Sequence, residues 1–335
     1  MDEMIRIVGY RDIDCEDWSA FVKAHPLGTV FQTPEMYDVN SVSNKQLPLV
    51  FAALNEDGKI VGVLSAVVMW NGNTLTKMIT ARSIIMGGIL ADKNNPDIIC
   101  ALLQEYKRKL PWWVIYSEIR PVYNSDWMNG FGWTRKGHYN LVLNLEKSDD
   151  QLWEGMHKER RRNVNQAIKA GLTFRELETD EERHEVVRLI EQTYQRKHVP
   201  ISYLSIFDEV QRLMHDYAHF FGCFTAEGQM IAGQIRLCYG NLVYAWFAGS
   251  DEDYFKLRPN DFTMWNVICW AHDKGYKWFD FGGGGEPGVE YGVRDYKLKY
   301  GCEMYDWGRW TCAHRPVTLW AGTVTYKLYH KLRGK

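Results

Sequence analysis

The residues best suited to do chemistry lie in the last third of the chain, around a run of four glycines. The segment KWFDF, predicted to be a buried strand, contains Asp280 and leads directly into glycines 282–285. Glycine-rich backbone is entropically costly to order, so such a run indicates a sharp turn or a ligand that approaches the main chain closely. Consecutive amides in this backbone can form an anion-binding nest. The sequence therefore predicts a site for a phosphate or a developing oxyanion.

A lysine follows the glycine run, in the segment YKLKYG. Period-two alternation predicts a strand with Tyr296, Leu298 and Tyr300 on one face and Lys297 and Lys299 on the other. Lys297 could stabilise an oxyanion or a phosphate, and a plain surface lysine is the alternative. The glycine run is not a P-loop, because no Gly-Lys-Ser/Thr follows it. It is not a dinucleotide turn either, because no helix pattern opens after it.

Two basic clusters in the second half are candidate phosphate ligands. The segment HKERRRNVNQAIKAG belongs to a helix predicted over about residues 149–170. Helical spacing places Arg160 on the apolar side of that helix and turns Arg161 and Arg162 away. The second cluster, TYQRKHVP, ends the next predicted helix, where the helix dipole also favours basic groups. Solvated charged faces are the plain alternative, but two such clusters in a chain of net charge −2 favour a phosphorylated ligand.

Composition bounds the class of protein. A length of 335 residues predicts two domains, and the shares of apolar (46%) and charged (24%) residues are ordinary for a globular protein. The seven cysteines include no CxxC pair, which favours free thiols in a reducing cytoplasm. The N-terminus has no signal-peptide pattern, and no run approaches the ~20 apolar residues of a membrane span. His215 and His219 have helical spacing without an accompanying HExxH acid, so no metal site is predicted.

The order of predicted elements repeats between the two halves of the chain. Each half has a hairpin with an acidic-Gly turn, another strand, a helix of about fifteen residues and a strand that begins with aromatics. This pattern predicts a domain of residues 1–147 and a second domain of residues 148–335. The predicted helices cover about residues 14–24, 96–110, 149–170, 181–196, 202–217 and 261–274.

The ordered set of these segments resembles the FemAB-like family of acyl-transferring proteins. That family includes the peptidoglycan-bridge aminoacyl transferases and a related BioF2-like acetyltransferase group. The matching stretches are HKERRRNVNQAIKAG, TYQRKHVP, VYAWFAGS, RPNDFTMWNVICWAHDKG and WFDFGG with YKLKYG, and the resemblance covers roughly residues 20–310. It implies an α/β (α+β) fold of two tandem GNAT-like domains, each a mixed, mostly antiparallel sheet flanked by helices.

The resemblance also implies roles for individual residues. Lys297 would contact the acyl donor or the oxyanion, and Arg196 and Arg160 would bind phosphates of donor or acceptor. Glu118 and Arg120, at the end of a strand in the first half, would face a cleft between the halves. The predicted catalytic residues are Lys297, Glu118 and Asp280. The predicted substrate-binding residues are Arg120, Arg160, Tyr194, Arg196, Asn260, Gly283, Gly284 and Tyr291.

Two departures from the family leave the donor open between acyl-CoA and aminoacyl-tRNA. The helical coiled-coil insertion of many bridge-forming aminoacyl transferases is missing from the sequence. Between Gly249 and Asn260 the chain reads SDEDYFKLRP instead of the Arg/Gln-x-x-Gly-x-Gly/Ala turn with which GNAT enzymes usually bind the CoA pyrophosphate.

The predicted function is transfer of an acyl or aminoacyl group to an amine of a sugar-phosphate, nucleotide-sugar or cell-envelope precursor. No Ser-His-Asp or Cys-His arrangement stands out, which favours direct attack by the acceptor amine. Glu118, Asp280 and the substrate's own phosphate are alternative proton acceptors. A non-catalytic GNAT-like protein that binds a glycolipid or RNA is the alternative function. The C-terminal tail, VTLWAGTVTYKLYHKLRGK, is predicted to contact a membrane surface or to pack as a final helix.

Overall fold

The computed structural model describes residues 5–199, 201 and 204–332, without the side chains of residues 74, 75 and 326–332. Its strands are β1 (Arg6–Gly9), β2 (Gln46–Leu54), β3 (Ile60–Met69), β4 (Arg82–Gly87), β5 (Leu90–Ala91), β6 (Tyr116–Pro121), β7 (Thr134–Lys136), β8 (Tyr139–Asn144), β9 (Thr173–Glu176), β10 (Ala218–Phe224), β11 (Met230–Tyr239), β12 (Leu242–Ser250), β13 (Trp278–Gly283), β14 (Glu303–Asp306) and β15 (Arg309–Ala313). Its α-helices are α1 (Cys15–Ala24), α2 (Pro34–Ser41), α3 (Thr74–Thr80), α4 (Pro96–Lys109), α5 (Asp149–Gly155), α6 (Lys158–Lys169), α7 (Asp180–Arg196), α8 (Ile206–Leu213), α9 (Pro259–Asp273), α10 (Gly292–Leu298) and α11 (Pro316–Leu332).

The chain forms two compact units, one of residues 1–137 with 307–335 and one of residues 138–306. The first unit has the sheet order β1-β2-β3-β4-β6-β15-β7, and the second has β9-β10-β11-β12-β13-β8-β14. In each sheet, four successive antiparallel strands are followed by a helix, α4 or α9, and by a strand that pairs in parallel with the fourth. The predicted fold class and the predicted duplication of one mixed α/β unit are confirmed.

The division between the units differs from the predicted boundary at residues 147 and 148. β8 lies in the second sheet, between β13 and β14, whereas β15 returns to the first sheet, between β6 and β7. Burial of apolar side chains explains both placements. Leu141 of β8 packs in the core that contains Phe279, and Trp310 of β15 is buried in the core that contains Ile119. Each unit thus takes one strand from the other half of the sequence, which the linear order of elements does not reveal.

The predicted helix over residues 149–170 is wrong, because it is two helices, α5 and α6. Met156 is the C-cap of the first, and His157 is the N-cap of the second, with its ring Nδ1 accepting from the Glu159 N–H at 3.3 Å. The helix predicted over residues 202–217 is the shorter α8, and residues 202 and 203 lie outside the described residues. The sequence analysis made no prediction for α2 and α3.

The strand predicted for YKLKYG is also wrong, because this segment lies in α10 and the turn after it. The hydroxyls of Tyr296 and Tyr300 are 2.8 Å apart. Residues four apart meet on a helix as well as on one face of a strand, so alternation over so short a segment does not distinguish the two. Lys297 therefore extends from a helix that begins just after the glycine run.

Candidate active site

Two neighbouring parallel strands of the second unit separate in the middle of the sheet. The backbone pairing of β12 with β13 ends at Tyr244 and Asp280, although β12 continues to Ser250 and β13 to Gly283. The side chains of residues 244–248 are only partly buried, even though β12 is an internal strand of the sheet. In the first unit, the equivalent strands β4 and β6 stay paired from Arg82 to Gly87. The second sheet is therefore open where the first is closed.

A β-bulge in β12 lies beside this opening. The register between β11 and β12 shifts between Ile235 and Arg236, so that Trp246 is the extra residue on β12. The Arg236 guanidinium, 1% exposed, donates to the carbonyl oxygens of Ile235 at 3.1 Å and of Phe247 at 3.4 Å. Bulges bend the strand that carries them, so these bonds fix the backbone of β12 where it leaves β13.

Asp280 lies at the point where the strands separate. It is fully buried, and its Oδ1 accepts a hydrogen bond from the Gly282 N–H at 2.6 Å. Its Oδ2 is buried and makes no hydrogen bond within the described part of the chain. Burial raises the pKa of Asp280 to about 6, while the Gly282 amide, Lys297 and the Asn140 side chain act in the opposite direction. Asp280 can therefore exchange a proton near neutral pH.

Lys297 reaches the same place from α10. Its Nζ donates to the Gly283 carbonyl oxygen at 2.9 Å. A side chain built on Gly282 would meet the Tyr244 hydroxyl at 3.6 Å and Lys297 Nζ at 3.9 Å, so both groups lie beside that glycine. Burial lowers the pKa of Lys297 to about 8, although Asp280 favours its charged form. Lys297 is thus a partly buried cation that ionises close to neutral pH, next to open backbone.

The glycines of the run have different structural roles. Gly282 and Gly285 adopt left-handed backbone, with φ of 76° and 78°, which side-chain-bearing residues rarely adopt. Gly284 packs closely, because a Cβ there would lie 3.0 Å from a methyl group of Leu141. The run turns the chain from β13 toward α10 and leaves the Gly283 carbonyl for Lys297. The predicted anion-binding role of Gly283 and Gly284 stays a prediction.

Three more of the predicted residues lie on the β12 side or at the start of α10. The Tyr194 ring, on α7, lies 5.5 Å from the Phe247 ring of β12. Burial is the main cause that raises the pKa of Tyr194, and Tyr291 adds to it electrostatically. Tyr291 precedes α10 and packs against Gly285. Arg196 ends α7 and donates to the Ser250 carbonyl oxygen, at the end of β12, at 3.1 Å.

Arg160 does not lie at the opening between β12 and β13. It belongs to a buried network of hydrogen bonds between helices. Its Nη1 donates to Asp261 Oδ1 at 2.7 Å in a buried ion pair, and its guanidinium carbon lies 4.4 Å from the Tyr296 ring centre. Asn163 and Tyr300 donate to the same carboxylate at 2.6 and 2.7 Å. This network joins α6 to α9 and to the turn after α10, so we assign Arg160 to packing rather than to phosphate binding. Asn260 immediately precedes Asp261 and lies in the first turn of α9, as predicted.

Glu118 and Arg120 belong to the first unit, on β6. Glu118 Oε1 accepts from Arg120 Nε at 2.5 Å and from Arg309 Nη1 at 3.4 Å. Both Arg120 and Arg309 therefore neutralise this carboxylate within its own sheet. The predicted cleft between the halves, and the role of Glu118 as a base there, stay predictions.

Three further residues of this site were not predicted from the sequence. Tyr244 lies opposite Asp280 in the parallel register, Asn140 comes from β8 in the other half of the sequence, and Arg236 is the one charged residue of the mostly apolar β11. A charged residue inside an apolar strand pattern was the one available signal. Among possible metal ligands, Asp149, His272 and Asp273 have ligand atoms within 4.8 Å of one another. Two of them are exposed acids, and we assign no metal there.

Comparison with known proteins identifies the class of this fold. Residues 156–298 match the family model of the acetyltransferase (GNAT) domain. A crystal structure of FemX superposes with a TM-score of 0.74 at 16% identity, covering 95% of this chain and 100% of that one. L-PGS from Bacillus licheniformis gives 0.60 at 14% identity, over 92% and 96%. A tandem GNAT protein from the clavulanic acid biosynthesis pathway gives 0.56 at 11% identity, over 93% and 99%.

No curated protein sequence matches the chain significantly. Residues 156–298 of the second unit are thus similar to a GNAT acetyltransferase domain, and the predicted fold of two tandem GNAT-like domains is confirmed at the level of the fold. The predicted acyltransferase class is that of the matched domain. Among the described helices, none has the length and apolar character needed to cross a bilayer.

Proposed function

We propose that this protein is a cytoplasmic acyltransferase whose active site is the opening between β12 and β13. It moves an acyl or aminoacyl group from acyl-CoA or aminoacyl-tRNA to an amine of a sugar-phosphate, nucleotide-sugar or cell-envelope precursor. The observation that carries the proposal is the coincidence of three features at one point: parted parallel strands, a partly buried lysine and a buried carboxyl with an unused oxygen. Buried ionisable groups with shifted pKa values are typical of catalytic sites.

The unpaired edges of β12 and β13 give the donor its place. Beyond Tyr244 and Asp280, the pairing of β12 with β13 does not continue within the described residues. An extended donor arm with amide groups can pair with such edges as an added strand would. Its carbonyl carbon then lies near Lys297, and the acceptor approaches along the partly exposed residues of β12. Positioning both reactants in this way supplies a large part of the rate.

The proposed reaction is direct transfer of the acyl group from the donor to the acceptor amine. The acceptor amine attacks the donor carbonyl carbon, a C–N bond forms, and the C–S bond of a thioester or the C–O bond of an aminoacyl ester breaks. The Lys297 ammonium stabilises the negative charge that develops on the carbonyl oxygen. Asp280 takes the proton that the attacking nitrogen loses, through its unpaired Oδ2, and this proton is then passed to the leaving thiolate or alkoxide, so that Asp280 returns to its carboxylate form. Asp280 is better suited than Glu118 because Glu118 is already paired with two arginines.

A ligand panel tests this proposal. The purified protein is heated with CoA thioesters, charged tRNA and nucleotide-sugars, and each ligand that raises the melting temperature is then assayed for product. Acetyl-CoA or another donor that both stabilises the protein and is consumed with an acceptor amine would support transfer. A ligand that is held without turnover under every acceptor would instead support the non-catalytic binding protein.

The two shifted ionisations predict a bell-shaped pH profile. Activity (kcat/KM) should be highest between about pH 6 and 8. Below that range Asp280 gains a proton and can no longer accept one from the amine. Above it Lys297 loses its proton and with it the charge that stabilises the oxyanion. Steady-state rates across this pH range measure both limbs of the profile. The apparent pKa values of the two limbs belong to Asp280 and Lys297 as a coupled pair.

Lys297→Arg is the variant that assigns the alkaline limb. A guanidinium stays charged throughout the range, so the loss of activity at high pH should disappear in this variant even if the maximum rate is lower. Asp280→Asn should remove the acid limb in the same way. An alkaline limb that remains unchanged in Lys297→Arg would assign that ionisation to another group.

A further inference from the structure

The first unit has a group of large apolar side chains that are exposed. Ile79, at the end of α3, is 66% exposed, and Trp112, in the turn before β6, is 73% exposed. Val317 and Trp320, in the first turns of α11, are 78% and 68% exposed. Val317 and Trp320 are three residues apart and so lie on one side of their helix. Exposed tryptophans of this kind are uncommon on a free surface and typical of an interface.

Hydrogen bonds hold the three segments side by side. The Ile115 N–H, just after Trp112, donates to the Ala81 carbonyl oxygen at 3.0 Å, which joins the turn before β6 to the end of α3. The His314 and Arg315 N–H groups both donate to the Ile115 carbonyl oxygen at 2.9 Å. The Arg315 guanidinium then reaches the Met78 carbonyl oxygen, on α3, at 2.7 Å. The exposed side chains thus belong to one edge of the first unit, which we call the apolar edge (residues 78–79, 112–113 and 315–320).

The three segments of the apolar edge contain no aspartate or glutamate. They lie in longer stretches of sequence without either residue, residues 58–91, 106–117 and 307–335. The same stretches contain many basic residues, although the whole chain has a net charge of −2. One of them, Lys77, places its Nζ 4.2 Å from the ring centre of Trp70 and 3.7 Å from that of Trp113. Basic and aromatic side chains are therefore in contact beside the exposed apolar ones.

We propose that the apolar edge docks the protein onto the surface of an anionic lipid bilayer. Tryptophans and aliphatic side chains insert at the level of the headgroups, and lysines and arginines around them attract the negative surface. A second copy of this chain fits less well, because a twofold contact would bring the same cations against each other. RNA is disfavoured because Ile79 and Val317 are aliphatic and provide no surface for base stacking.

This inference goes beyond acyl transfer and involves the other unit of the chain. It extends the predicted membrane contact of the C-terminal tail to α3 and to the turn at Trp112. In the tail, only Val317 and Trp320 are used, because the side chains of residues 326–332 and all of residues 333–335 lie outside the described residues.

Vesicle flotation tests the proposal with the full-length chain. The parent protein should float with vesicles of phosphatidylcholine mixed with phosphatidylserine, remain at the bottom with pure phosphatidylcholine, and lose binding as salt is raised. The double variant Ile79→Glu with Trp112→Glu should bind the anionic vesicles at least about tenfold more weakly, because it removes insertion and adds repulsion. Both positions are exposed, so the melting temperature should stay that of the parent.

Val42→Glu is the matched control. Val42 is 49% exposed in the same unit, at the end of α2, and this variant should bind as the parent does. Absence of parent binding at low salt would overturn the proposal, and so would equal binding to both kinds of vesicle. Unchanged binding of the double variant, or equal loss in the control, would also overturn it. Flotation needs no turnover, so the result is independent of whether the protein transfers acyl groups.

Discussion

Replacing Lys297 by alanine should lower the turnover rate by about 100-fold or more, with a far smaller change in donor binding. A partly buried ammonium next to the point where the carbonyl oxygen becomes negative stabilises the transition state more than the ground state. Its Nζ bond to Gly283 holds it in place before the donor arrives. Single-turnover rates and donor titrations on the same preparation separate the two effects.

Two results would change the role that we assign to Lys297. If it holds a phosphate of the ligand, the alanine variant should bind more weakly while turnover at saturation stays near that of the parent. Lys299→Ala is the control, because this neighbouring lysine forms an ion pair with Glu159 at 2.6 Å and lies outside the proposed site. Equal activity of both variants and the parent would remove Lys297 from the mechanism. The melting temperature of Lys297→Ala is measured first, so that a folding defect is not mistaken for a catalytic one.

Asp261→Ala should destabilise the second unit by about 3–5 kcal/mol, the cost of breaking a buried ion pair from one side. The carboxylate accepts hydrogen bonds from Arg160, Asn163 and Tyr300. Its removal leaves the Arg160 guanidinium buried without its anion and two other donors without an acceptor. Urea denaturation of the variant and the parent measures the difference in the free energy of unfolding.

A double variant distinguishes charge from packing in this network. Arg160→Met combined with Asp261→Leu removes both charges and keeps apolar volume, so it should lose less stability than Asp261→Ala alone. Lys299→Ala, which breaks the exposed pair between Lys299 and Glu159, should have a much smaller effect than either. An Asp261→Ala variant as stable as the parent would show that the network contributes nothing, and would reopen a ligand-binding role for Arg160.

The sequence was sufficient for the class of fold, and it directed attention to the region of the proposed site. Periodicity and turn signals predict the repeated order of strands and helices, because each element buries one face and ends at glycine, proline or a polar cap. The glycine run after Asp280 indicated unusual backbone, and the structure has left-handed residues there at Gly282 and Gly285. The resemblance to FemAB-like proteins selected Lys297, which the structure places beside that backbone.

Local sequence patterns gave wrong predictions where a strand and a helix are compatible with the same residue spacing. Tyr296 and Tyr300 fit one face of a strand and also successive turns of a helix, and the segment is helical. Arg160 was grouped with its basic neighbours as a phosphate ligand, although its helical position already placed it on the apolar side. Only the partner on another helix, Asp261, shows why a cation belongs there.

The sequence by itself thus determined most of the elements, their repeated order and the glycine run after β13. Only the tertiary structure decided which strands share a sheet, because β8 and β15 are placed by burial of Leu141 and Trp310 in cores distant in sequence. The separation of β12 from β13, and the meeting of Tyr244, Asp280 and Lys297 there, likewise depend on long-range packing. Pairing between distant segments is set by the free energy of burying them together, which no local pattern of residues contains.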